Sequence, residues 1–104
     1  MIPSVLASVM ASNAVVGLMN ISRELLVQCG FDEGDALNAL EPLVRANIDS
    51  IFEKGTVEAL TGPVARGDFD TVNRHLKEID GYRKKLYESV NCELEKIVSM
   101  KKKD

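Results

Sequence analysis

Three features of this chain could in principle carry chemistry, and all lie within or just after Ala59-Leu60-Thr61-Gly62-Pro63-Val64-Ala65-Arg66-Gly67-Asp68. His75, the single histidine, falls about two helical turns after Asp68. Its imidazole could act as acid, base or hydrogen-bond donor. An ordinary surface or packing histidine is the commoner occupant of such a position. Gly62 to Gly67 has the spacing that opens a phosphate-cradling loop, but Asp68 and Phe69 stand where a lysine and a serine or threonine are required, and no strand precedes it. Arg66-Gly67-Asp68 also spells an adhesion tripeptide, yet nothing else in the chain indicates secretion. The segment nonetheless has a specified shape: two glycines supply backbone freedom, Pro63 fixes one φ, and Arg66 and Asp68 place opposite charges around Gly67. A shaped polar loop held between helices is where function is commonly placed.

The remaining inventory is sparse. Cys29 and Cys92 are the two cysteines, without CxxC spacing and with one histidine in the whole chain, so the usual ligand rules assemble no metal site. Reduced thiols on helices of a cytosolic protein fit them best. The net charge of −3 provides no basic field, which makes nucleic acid a poor partner. At 104 residues, 45% hydrophobic and 28% charged, the chain reads as one globular domain, residues 1–104, small enough to bury further apolar surface in a partner.

The elements that position the loop are helices. The first opens at Pro3-Ser4 and stops at Cys29-Gly30, about 25 residues or roughly 38 Å. Val5, Leu6, Val9, Met10, Val15, Val16, Leu18, Met19, Leu25 and Leu26 surround it, so it is expected to be deeply buried. No charge occurs before Arg23, which raises a membrane span or a signal peptide. Both are discounted, because Ser4, Ser8, Ser12, Asn13, Asn20 and Ser22 interrupt the apolar run and no basic segment precedes it. Ser4, Ser8 and Ser12, four apart, would allow close backbone approach. Asn13 and Asn20, seven apart, share a face with Val16 and Gly17 and could bond other helices or line a cleft.

Asp32 is expected to cap a second helix, with Ala36, Leu37, Leu40, Leu43, Val44, Ile48, Ile51 and Phe52 at 3,4 spacing up to Lys54-Gly55. Pro42 inside this pattern predicts a kinked helix or two abutting ones, flanked by Glu41 and Arg45 at i, i+4. A short turn over Thr56 to Leu60 leads into the loop. Asp68 or Asp70 caps the fourth helix, which directs Val72, Leu76 and Ile79 inward, and Gly81 ends it. The last helix runs from Tyr82 to about Met100 with Leu86, Val90, Leu94 and Ile97 or Val98 on one face, and Lys101 to Lys103 complement its dipole. With no period-2 pattern, the chain is expected to be all-α with about five helices.

Ala11-Ser12-Asn13, Glu41-Pro42-Leu43-Val44-Arg45, and the segment from Ala59 to Asp68 followed by Val72 and His75-Leu76 together resemble a known pattern. It is that of the C-terminal helical domain of an uncharacterised bacterial family of Rossmann-like NAD(P)-dependent oxidoreductases, over about residues 4 to 95. The resemblance implies a fold like the C-terminal domain of 6-phosphogluconate dehydrogenase. In such proteins an N-terminal Rossmann domain carries the dinucleotide, while the helical domain supplies the dimer interface and the far wall of the cleft. It therefore implies a cytoplasmic homodimer acting on a small molecule, with NAD(P) bound by the parent protein and none by this chain, which has no GxGxxG. The expectation is a detached domain, inert alone, with Met1 an introduced start.

The resemblance also implies site residues. Thr61, Gly62, Arg66, Asp68 and His75 would form the wall with Asn13 facing them, Arg66 as the anion contact, His75 as the catalytic candidate, and Asp68 either a contact or a helix cap. In location the loop is similar to the substrate loop of pyrroline-carboxylate reductases. Two departures stand out. The family's Tyr-His pair is not matched by Ile2-Pro3-Ser4-Val5, and Val9 stands where related 3-hydroxyacid dehydrogenases place a catalytic lysine, so that chemistry does not carry over by fold alone. A non-catalytic helical scaffold is the second expectation, and an independent small regulatory protein the third.

Overall fold

The structure, a computed structural model, describes residues 2–102. Six helices account for nearly all of them: α1 (Ser4–Gln28), α2 (Glu33–Lys54), α3 (Thr56–Ala59), α4 (Pro63–Arg66), α5 (Phe69–Glu78) and α6 (Gly81–Lys102). No strand occurs among the described residues. The all-α expectation is met, with one helix more than the approximate five, because Pro63–Arg66 forms a turn of helix inside the segment read as loop. Contacts divide the chain into two compact units, Met1–Ala46 and Asn47–Asp104, with the division falling inside α2.

The first unit holds α1 and the first part of α2. At its C-terminus α1 ends as Gly30 predicts: the Phe31 N–H donates to the Leu26 carbonyl and the Gly30 N–H to the Val27 carbonyl, which satisfies two orphan acceptors. At the start of α2 the Asp32 carbonyl accepts from Asp35 and Ala36. Pro42 lies within a single α-helical span, where the sequence left open two abutting helices. Its missing N–H costs one bond, and the 2.6 Å contact from Arg45 Nε to Glu41 lies beside it. That pair is exposed and worth only a few tenths of a kcal/mol.

Burial departs from the sequence reading. α1 has the expected length, but none of its residues is buried. Val5, Met10 and Val16 are among its most exposed apolar side chains, Val16 at 69%. By length and composition this helix could cross a membrane, its most apolar window having a mean hydropathy of 1.6 with none of it buried. The serines and asparagines used to discount a span dilute the apolar run without breaking it. Asn20 is likewise no buried amide: it donates to Glu24 Oε1 at 3.1 Å and accepts from Arg23 at 2.9 Å on the surface. In α2 the apolar stripe is mostly uncovered too, with Ala36 its buried member.

The second unit contains a small core. Ala59, Val64 and Val72 are buried there, contributed by α3, α4 and α5. α4 packs against α5 and α6, and α3 against α6. Leu86, Val90, Leu94, Ile97 and Val98 are half-buried along α6, as their spacing predicts, and so are Leu76 and Ile79. Lys101 reaches Glu58 at 3.8 Å. The expected dipole contribution of Lys103 lies outside the described residues, as does Met1.

Four-residue helices are far too short to persist by propensity. Their stability must come from what they bury, and Val64, 5% exposed, is the side chain α4 contributes. Val64→Ala should therefore lower the unfolding free energy by about 1–3 kcal/mol. Urea titration would report it as a lower midpoint at unchanged m-value.

Candidate functional site

The segment around Gly62 to Asp68 is built from local end chemistry. Leu60, extended at φ −65°, ends α3, and Gly62 at φ +99° turns the chain in a region closed to most L side chains. Pro63 follows at the first position of α4, where its missing N–H costs nothing and its fixed φ suits a helix. α4 is closed by Gly67 at φ +71°: the Asp68 N–H donates to the Pro63 carbonyl at 2.8 Å and the Gly67 N–H to that of Val64 at 3.1 Å. This is the same pair of bonds that ends α1.

Asp68 then caps α5. Its Oδ1 accepts from the Thr71 N–H at 3.2 Å and its Oδ2 from the Thr71 hydroxyl at 2.7 Å. Arg74 in turn donates to the Thr71 hydroxyl oxygen at 3.0 Å. The Thr71 hydroxyl, then the Thr71 N–H, hold the Asp68 carboxyl below the ordinary 3.8; partial dehydration opposes this, and Arg66 and Arg74 add to it. Arg66 Nη2 sits 3.8 Å from Asp68 Oδ2, an ion pair rather than a hydrogen bond, with its side chain 64% exposed.

A cleft of about 230 Å³ lies beside this joint, entirely within the second unit. Ile51, Leu60, Leu94 and Ile97 give it apolar walls, Ala59 a floor, and Asn47, Thr56 and Thr61 polar groups. A second cleft of about 180 Å³ shares Leu60 and Ile97 and includes Val57, Ala65, Val98 and Lys101. Of the residues expected from the sequence, Thr61 lines the larger cleft; Gly62, Arg66, Asp68 and His75 line neither. Asn13 belongs to the first unit, exposed, with its Oδ1 3.5 Å from the Ser12 hydroxyl.

His75 has a partner of its own. Its Nδ1 lies 2.8 Å from the Tyr87 hydroxyl, and the rings meet edge to face with centroids 5.8 Å apart. This contact ties the last turn of α5 to α6. Tyr87, Thr56 and Asn47 were missed in the sequence. Asn47 and Ile51 share a helix face by their i, i+4 spacing, a signal that could have been used. No local spacing connects His75 with a residue twelve positions on. Cys29 and Cys92 are exposed free thiols.

The fold and this cleft define an all-helical domain with a shaped interhelical joint and an adjoining small-molecule-sized hollow. The chain belongs to the family described as Domain of unknown function (DUF2520), whose model matches residues 5–93. No curated protein and no solved structure matches it.

Two measurements test the joint. Gly67→Ala should cost about 1–2 kcal/mol, since alanine is strained at positive φ. Asp68→Asn keeps a capping side chain but removes the charge. Because the folded carboxyl titrates below the unfolded one, its contribution is complete above about pH 5 and is lost as pH falls through the unfolded and then the folded value. The gap in urea midpoint between wild type and Asp68→Asn should be constant near neutrality and close on acidification below about pH 5. A gap that persists at the acid end would remove the charge from the cap.

Proposed function

We propose that the chain is the C-terminal dimerisation and substrate-cleft domain of a cytoplasmic NAD(P)-dependent oxidoreductase, inert alone, with the dinucleotide on a separate N-terminal Rossmann domain. The observation that carries this reading is the joint from Ala59 to Asp68 with a cleft lined by its own Ala59, Leu60 and Thr61. Thr61 contacts substrate from the cleft, Arg66 serves as an anion contact outside it, and His75, oriented by Tyr87, is the candidate acid–base group. Gly62 and Asp68 act through the backbone shape they enforce.

The dimer part of the proposal rests on α1. A helix with no buried residue and a row of exposed valine, leucine and methionine presents more apolar surface than a monomer usually leaves in water. A second copy is the occupant proposed, with Ser4, Ser8 and Ser12 permitting close approach. A non-catalytic scaffold is the second reading, favoured by Val9 in the lysine position and by the structural use of Gly62 and Asp68.

Sedimentation of the chain without detergent should give a homodimer at high micromolar concentration, and Val16→Asp should return it to monomer. A clean wild-type monomer, or partition onto lipid vesicles in place of self-association, would overturn the interface. In the parent protein, Arg66→Ala should raise KM for an anionic substrate at least tenfold while leaving dinucleotide affinity unchanged. Unaltered kinetics would remove Arg66 from the site, and dinucleotide binding without turnover on carboxylates or imines would select the scaffold.

A further inference from the structure

We infer that the cleft beside Thr61 accepts an uncharged, mainly aliphatic group bearing an amide or hydroxyl, and excludes carboxylates. The inference rests on the substrate-cleft reading and specifies the ligand chemistry of that site. The wall is hydrocarbon from Ile51, Leu60, Leu94 and Ile97, and every polar group on it is neutral: the Asn47 amide and the hydroxyls of Thr56 and Thr61. None of these three side chains takes part in a side-chain hydrogen bond among the described residues, so their donors and acceptors are open to a ligand. A neutral amide can both donate to and accept from such groups. A carboxylate entering the same space would find neutral donors but no cation on the wall to offset the hydration it gives up.

Two cations of the same unit stand off this wall. Lys101 lines the neighbouring cleft and is engaged by Glu58 at 3.8 Å. Arg66 lines neither cleft and faces Asp68. The cleft volume of about 230 Å³ sets the scale of the group accommodated. It is that of a six-carbon chain with one polar head.

Hexanamide, hexanoate and hexylammonium share one chain length and differ in charge, so titrating each into the chain followed by ¹H–¹⁵N NMR separates charge from size. Hexanamide should shift the backbone amides of Thr56, Leu60 and Thr61 saturably in the millimolar range, with hexanoate at least tenfold weaker. Thr61→Val and Asn47→Leu, both at exposed positions, should each weaken hexanamide about three- to tenfold with helicity unchanged. Hexanoate or hexylammonium saturating the same signals at equal or lower concentration overturns the inference, as does hexanamide moving Thr61 no more than residues elsewhere. A charged probe that wins at Thr61 leaves the substrate-wall reading standing. A monomeric chain with Arg66→Ala kinetically silent removes that reading and leaves the cleft's ligand class intact.

Discussion

Burial of apolar side chains is the constraint on which this structure turns, because so few achieve it. Ala36 is buried in the first unit and Ala59, Val64 and Val72 in the second, and three of these four come from the short segments between α2 and the end of α5. Hydrophobic burial scales with area, and alanine and valine contribute little of it. The long helices α1 and α2 hold most of the large apolar residues and leave them exposed. The proposed self-association of α1 follows from this imbalance: the apolar surface is present, and the chain does not cover it.

Within the second unit the shortage is met by precise end chemistry. α3 and α4 are single turns, and each must be specified at both ends to exist at all. Gly62, Pro63, Gly67 and Asp68 supply turn, first position, left-handed closure and cap in that order. Together they aim Val64 at the core and set Leu60 and Thr61 on the rim of the cleft. A motif that looks functional because it is unusual is thus largely architectural. Any chemistry is left to the residues that architecture does not consume, Thr61 and Arg66 first among them.

The electrostatics follow the same division. Asp68, an acid or ligand contact by residue type, directs both carboxylate oxygens to Thr71. The cleft is lined by neutral groups, while Arg66 faces Asp68 and Lys101 faces Glu58. A wall without charge offers an ion no opposite partner, which is the basis of the selectivity inferred for it.

Local sequence sets most of the helices and their ends. Periodicity of 3.6, the Gly30 stop, the Asp68 cap and the inward face of α5 and α6 are interactions between residues within five positions of each other, so local order suffices to read them. The helical turn at Pro63–Arg66 is the exception: its proline and flanking glycines read as a loop, and the turn forms where Val64 is buried. Tertiary structure alone decided burial and the cleft. Apolar residues around α1 announce that the helix wants to be covered, and nothing local says by what. Thr61 meets Leu94 and Ile97, and His75 meets Tyr87, across separations that only the packing of α3, α4 and α5 on α6 can close. Sequence spacing carries no information about such pairs, because their distance is set by how helices pack and not by how any one of them winds.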